Sequence, residues 1–220
     1  MFDKKKLSNA PHNIVTWISN RILSNLPEFQ LFIIDNSPDI IAIQETFLQP
    51  ANFLNFANYT TYCTDRTSHR GGAYNHSPEE NKFAHHLINI FRNRHNCFII
   101  GDLNARHQSW KPTSRNNPAG NTLLSSSQNY GIDIIAPNKP TYHPNNQHNQ
   151  SSAIDLGLAK GIQNISVSTS EDLSSDHNPV YFLVGLDSMI LQPQNRILLT
   201  NTMCGNPPIN DLKEIRLSSL

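Results

Sequence analysis

The sequence predicts a mixed α/β domain over residues 12–186, on three observations. A β-leaning run, an amphipathic run and a second apolar run follow one another at the start, the order that packs helices on a sheet. Apolar runs recur along the chain and begin or end at acids, amides or histidine. A strongly periodic helical stretch lies between two of these runs.

The elements follow in order. "NIVTW" (13–17) is short and rich in strand formers. In "SNLPEFQLFIIDN" (24–36), Leu26, Phe29, Phe32 and Ile33 recur at helix-face spacing. "PDIIAIQET" (38–46) reads as a buried strand ending in Gln44, Glu45 and Thr46, and "YTTYCTDR" (59–66) as another strand. "SPEENKFAHHLINIFRNR" (77–94) is the clearest helix. Ser77 can cap it, Pro78 suits its first turn, Glu79 and Glu80 complement the dipole, and Phe83, Leu87, Ile90 and Phe91 form one stripe. A strand follows at 97–101, then a short helix and strand within "NNPAGNTLLSSSQNYGIDIIAP" (116–137). "SSAIDLGLA" (151–159) and "NPVYFLVGL" (178–186) read as strands, the first leaving the Asn-rich loop "HPNNQHNQSS" (143–152). From Asp187 onward periodicity fades, so 187–220 reads as a tail or an inter-domain linker.

Composition narrows the function classes. Lys+Arg and Asp+Glu are both 17, so an anionic partner must be met by a local patch or a metal rather than by the field of the whole chain. No apolar run reaches the ~20 residues of a membrane span, and "MFDKKKLSNAPHN" lacks the apolar segment of a signal peptide. Three scattered cysteines (Cys63, Cys97, Cys204) with no CxxC pair argue against a disulfide framework or a zinc ribbon. The expectation is a soluble intracellular protein with no membrane contact. No stable protein partner follows from the sequence.

Four strand ends carry candidate chemistry: Gln44-Glu45-Thr46, Gly101-Asp102-Leu103-Asn104, Ile154-Asp155-Leu156 and Ser175-Asp176-His177-Asn178-Pro179. Taken singly, an acid at a strand end is usually a cap or turn residue. His107, His85 and His86, taken singly, read as surface residues. Four such ends in one chain change the balance, because strands sharing one rim would gather several carboxylates, an Asn and a His in one cleft. Oxygen-rich clusters of that type hold Mg²⁺ or Mn²⁺. Their chemistry is phosphate-ester hydrolysis, in which a carboxylate-bound cation neutralises the phosphate and a second carboxylate activates water. A His held by an Asp can donate to the phosphoryl oxygens.

"DIIAIQET", "FIIGDLNARHQSW", "KPTYHP", "SSAIDLGL" and "SSDHNPV" occur in the order and approximate spacing of the endonuclease/exonuclease/phosphatase superfamily. The resemblance is to the endonuclease domain of non-LTR retrotransposons in particular, as a truncated copy. It implies a four-layer α/β sandwich, Mg²⁺ (or Mn²⁺), a DNA substrate and a nuclear location. Glu45 resembles the metal-ligand Glu, Asp102 the water-activating Asp, and Asn104 the phosphate-contacting Asn. Asp176 and His177 resemble the terminal Asp-His pair, the first on the metal side and the His on the scissile phosphate. Asp155 resembles the acid supporting that His, and Tyr74, in "AYNHSP", the phosphate-binding Tyr of the Tyr-x-x-Pro element.

The chain departs from the family pattern twice. Ile18 stands where the family has the Asn of its opening Trp-Asn. On an extended strand, Asn20 would face the same side as Ile18. After "RGG" (70–72) the chain passes directly to Ala73-Tyr74, so some central strands are expected to be missing. Three readings remain open: a DNA-nicking module that leaves a 3′-hydroxyl for reverse transcription, an inactive relic that at most binds nucleic acid, and a small-molecule phosphatase of the same fold.

Overall fold

The computed structural model describes residues 11–48, 52, 54–64, 79–146, 150–185, 196–201 and 213–215. In chain order these form β1 (His12–Ile18), a 3-10 turn (Ile22–Ser24), α1 (Leu26–Asn36), β2 (Ile40–Gln44), β3 (Tyr59–Thr64), α2 (Glu79–Phe91) and β4 (Cys97–Asp102). They continue with α3 (Pro118–Tyr130), β5 (Asp133–Ile135), β6 (Asp155–Lys160), β7 (Ile165–Thr169), β8 (Val180–Val184), β9 (Arg196–Asn201) and β10 (Lys213–Ile215). Among the described residues no helix is long and apolar enough to cross a membrane.

Two sheets result, ordered β3-β9-β2-β1-β8-β7 and β10-β4-β6-β5. Alternation along each strand decides what each face meets. Ile14, Ile40, Ala42, Val180 and Phe182 of the first sheet pack against Phe98, Ile100 and Ala159 of the second. The opposite face of the first sheet, through Val15, Trp17, Ile41 and Ile43, takes Phe29, Phe32 and Ile33 of α1. Ile99, Leu156 and Leu158, on the outer face of the second sheet, take Phe83, Leu87 and Phe91 of α2 and Leu123 of α3. Helix, sheet, sheet, helix is the expected four-layer α/β sandwich. Phe98 and Phe182 meet edge to face at 5.3 Å where the sheets press together. There Gly157 is needed, since a Cβ would lie 2.7 Å from the Phe182 ring.

Helix ends follow local chemistry. The Asn117 side chain accepts from Gly120 N at the start of α3, Pro118 occupies the first turn, and Gly131 ends the helix at φ 63°. Ser77 and Pro78, the expected start of α2, lie outside the described residues.

The structure differs from expectation in four places. Residues 196–201 and 213–215 fall in the stretch read as tail or linker, yet they form β9 and β10. β9 lies between β2 and β3, parallel to both, with Ile197 against the inter-sheet core and Leu198 fully buried on the α1 side. A strand covered on both faces is a short apolar run without alternation, and "ILL" is too brief to stand out. The second difference is β7, whose mixed "ISVST" carried no strand expectation; it pairs with β8 at the sheet edge. Thirdly, the run from 151 becomes strand only at Asp155, because Ser152 is bridged to Tyr142. Finally, His107 is buried rather than on the surface: its Nδ1 accepts from Ser109 N at 3.0 Å, and its ring lies 5.3 Å from Trp110.

Candidate active site

Four of the candidate residues, Asp102, Asn104, Asp155 and His177, gather where the inter-sheet core runs out at one rim. β4 and β6 are antiparallel, and their last paired residues are Asp102 and Asp155. The parity that sends Phe98 and Ile100 into the inter-sheet core sends Asp102 the same way. Cross-strand partners stand about 5 Å apart at Cβ, so two carboxylates face each other by register alone. From the other sheet, Gln44 at the end of β2 reaches across, its Oε1 accepting from Asp102 N at 3.2 Å. Gly101 makes room for it, since a Cβ there would lie 3.1 Å from the Gln44 amide.

His177 precedes β8 and completes the rim. Its Nδ1 lies 2.9 Å from Asp155 Oδ2, and both side chains are buried. Thr141, in the "KPTYHP" motif, holds the acid in place, its Oγ1 accepting from the backbone N–H groups of Ile154 and Asp155 at 3.2 Å each. The Tyr142 ring lies against the imidazole with centroids 4.8 Å apart. Trp17 Nε1 donates to His177 O at 3.2 Å and to Ser175 Oγ at 3.2 Å. With Nδ1 held by the acid, Nε2 is the nitrogen left to meet a substrate.

Asp102 accepts at Oδ1 from Asn104 N (2.7 Å) and at Oδ2 from Asn104 Nδ2 (3.2 Å), an Asx-type turn that carries the chain out of β4. Asn104 sits at φ 48°, a left-handed conformation that Asn tolerates. Its carbonyl accepts from Asn117 Nδ2 at 2.7 Å, so the cap of α3 also fixes this turn. Glu45 is at φ 51°, uncommon for a Glu; its carbonyl is held by Arg21 N at 3.0 Å and Ser19 Oγ at 3.3 Å.

Electrostatics tie these groups together. Burial and the Asp155 charge push the Asp102 carboxyl up to about 7, Glu45 adding a smaller push, while His177 and the Asn104 amide oppose it. Burial disfavours the charged His177 ring, but Asp155, by charge and hydrogen bond, outweighs it and raises the ring to about 9, with Asp102 and Asp176 adding to the effect.

Crowded carboxylates with a raised acid among them are what a bound cation would relieve. Among the described residues no three His, Cys, Asp or Glu side chains are grouped to hold an ion. The donors at this rim, the carboxylates of Asp102 and Glu45 and the Asn104 amide, are oxygen donors of the type that Mg²⁺ takes while keeping several waters. The donor set therefore fits a hard cation.

Of the candidate residues, Asp102, Asn104, Asp155 and His177 are joined by register or hydrogen bonds, and Glu45 acts on Asp102 by charge. Asp176 is half-buried, its carbonyl accepting from His143 N at 2.8 Å. Tyr74 lies outside the described residues. Ile18 ends β1 buried, while the chain turns left-handed at Asn20 (φ 40°) and Arg21 (φ 82°). The strand therefore stops before Asn20, which is exposed and does not follow Ile18 along an extended face. Trp17, Gln44, Thr141 and Ser175 had no assigned role in the sequence reading. Each lies in or beside a motif, but its partner is remote in sequence.

A family model described as endonuclease–reverse transcriptase matches residues 58–181, more than half of the chain. The chain belongs to this family. A probable RNA-directed DNA polymerase from transposon BS of Drosophila melanogaster is 31% identical over 129 residues, covering 57% of this chain and 14% of the relative. A similar protein from transposon X-element of the same organism is 23% identical, covering 87% of this chain and 26% of its own length. The RNA-directed DNA polymerase from mobile element jockey of Drosophila funebris is 25% identical over 83% of this chain and 25% of its own length. The chain thus spans about a quarter or less of the length of these relatives. Among solved structures, the endonuclease domain of TRAS1, a telomere-specific non-LTR retrotransposon, superposes with TM-score 0.55 at 15% identity. That match covers 81% of this chain and all of the TRAS1 domain, and it shows a shared fold.

Proposed function

We propose that the chain is an Mg²⁺-dependent (or Mn²⁺-dependent) endonuclease module that nicks one DNA strand and leaves a 3′-hydroxyl primer for reverse transcription. The observation that carries the reading is the buried Asp155–His177 pair standing beside Asp102 on the cross-strand register. In this reading Asp102 takes the proton of the attacking water, and His177, fixed by Asp155, donates from Nε2 to a phosphoryl oxygen. Asn104 offers its exposed amide to the phosphate, and Tyr74 is assigned a second contact there. Glu45 and Asp176 would hold the cation, which when bound neutralises the phosphate and stabilises the leaving oxyanion. A nuclear location follows from that role.

One observation favours a second reading, an inactive relic that at most binds nucleic acid. The buried Ile18 side chain has no donor or acceptor where the family has Asn. Nicking of supercoiled plasmid with Mg²⁺ separates the two. The wild-type chain is expected to convert plasmid to the open-circular form, chelator to stop it, and Asp102→Ala and His177→Ala to abolish it. Nicking that persists in both variants would sink the site assignment, whereas a folded wild-type chain that never nicks is the relic.

A further inference from the structure

The connection between β1 and α1 touches both sides of the candidate site. On the Glu45 side, Ser19 N donates to Gln44 O at 3.0 Å, Arg21 N to Glu45 O at 3.0 Å, and Ile22 N to Thr46 O at 3.2 Å. On the His177 side, Ser175 Oγ lies 2.8 Å from Ile18 O and 2.6 Å from His177 O. One short segment therefore spans two strand ends that are more than a hundred residues apart in sequence.

The first turn of α1 adds two side chains with unusual employment. Asn25 occupies the N-cap of α1 yet makes no side-chain capping bond. Its Nδ2 instead bridges Ser19 O and Ser174 O, at 3.0 Å each. Glu28 lies in the first turn, where an acid ordinarily only complements the helix dipole. Here its Oε1 accepts from both Ser174 N (3.0 Å) and Ser174 Oγ (2.8 Å). An Asn that forgoes its cap is not stabilising its own helix in the usual way. Both side chains are committed to the residues just ahead of Asp176 and His177.

We propose that Asn25 and Glu28 are positioning residues that fix the Ser174–His177 loop against the β1–α1 connection, and so set His177 relative to Glu45. The role in catalysis rests on the nuclease reading, but the mechanical role does not. Glu28 supplies a charged acceptor for two donors on one loop residue, which gives direction as well as strength. Asn25 locks the same loop residue's carbonyl to the turn that carries Ser19. With the loop fixed at Ser174, Ser175 and the Trp17 indole, His177 keeps one backbone placement as substrate arrives.

The test reads amide hydrogen exchange by NMR, without metal or DNA, in wild type, Glu28→Ala, Glu28→Gln and Asn25→Ser. Serine keeps an N-cap residue but cannot span two carbonyls, and glutamine keeps the acceptor. Glu28→Ala and Asn25→Ser are expected to speed exchange at Ser174 and His177 roughly tenfold or more, with Phe32 and Phe182 unchanged as references. Glu28→Gln is expected within about threefold of wild type. Equal acceleration at the reference amides, no local change, or Glu28→Gln behaving as Glu28→Ala each overturns the proposal. Where the wild type nicks plasmid, the two disruptive variants are expected to lower kcat with KM within about twofold; a KM effect alone overturns it. A wild type that does not nick fails the nuclease reading and leaves the exchange result to stand by itself.

Discussion

Asp155 at the start of β6 and His177 ahead of β8 meet at 2.9 Å, buried, with Thr141 Oγ1 fixing the backbone of the acid. The pair fixes the ring's direction and shields it from water at once. Removing one member leaves the other buried without its partner. Asp155→Ala is expected to cost about 3–5 kcal/mol of folding stability, measured by urea denaturation, and to abolish plasmid nicking. A loss well under about 1 kcal/mol would show that the pair is hydrated in solution.

The same groups set a pH dependence. His177 is raised from 6.5 to about 9, and Asp102 from 3.8 to about 7. A group with a raised folded value stabilises the fold fully below its unfolded value and loses that contribution as pH rises through the folded one. Without added metal, wild-type stability is therefore expected to fall between pH 4 and 7 through Asp102, and between pH 6.5 and 9 through His177. Because each group shifts the other, urea midpoints across this range for Asp102→Asn, His177→Asn and the double variant read the two contributions together with their coupling. Profiles of the variants that parallel wild type would contradict both assignments.

Ile18 gives a gain-of-function test. It is buried at the end of β1, on the strand parity of Ile14 and Thr16. Ile18→Asn is expected to destabilise the fold by about 1–3 kcal/mol, as a buried apolar side chain gives way to a polar one. It is also expected to raise the nicking rate with Mg²⁺. A folded Ile18→Asn chain with an unchanged rate would show that this position does not limit activity.

Where the sheets press together, tolerance is low. Gly157→Ala would bring a methyl group to 2.7 Å from the Phe182 ring and 3.0 Å from that of Phe98. The expected loss is about 1–3 kcal/mol, read from denaturant midpoints, because both rings must shift in a packed interior.

β9 tests how far the folding unit extends. Leu198 is fully buried on the α1 side of β9, where it pairs with Ile41 of β2 and Thr61 of β3. Leu198→Ala is expected to cost about 2–5 kcal/mol. Ending the chain at residue 195 is expected to abolish a single cooperative transition by exposing the edges of β2 and β3. A truncated chain that unfolds as cooperatively as wild type would place 196–201 outside the folding unit.

Local patterning determined a good deal of this protein. Phe29, Phe32 and Ile33 at helix spacing, Ile40–Ile43 as a buried run, and Pro118 with Asn117 ahead of α3 each state their element in a few adjacent residues. The four acid-bearing strand ends were legible for the same reason, since an apolar run that stops at Asp102 or starts at Asp155 is a local event. Register and crossing were not. Only the tertiary structure decided that Asp102 faces Asp155, that Gln44 reaches over Gly101, and that Ser174 hangs from Asn25 and Glu28. It also decided that "RILLTN" joins β2 and β3, a pairing that its own few residues do not encode. The physical division is one of range. Propensity and periodicity act over a few residues, whereas a site is made by contacts between segments that only the closing of two sheets brings together.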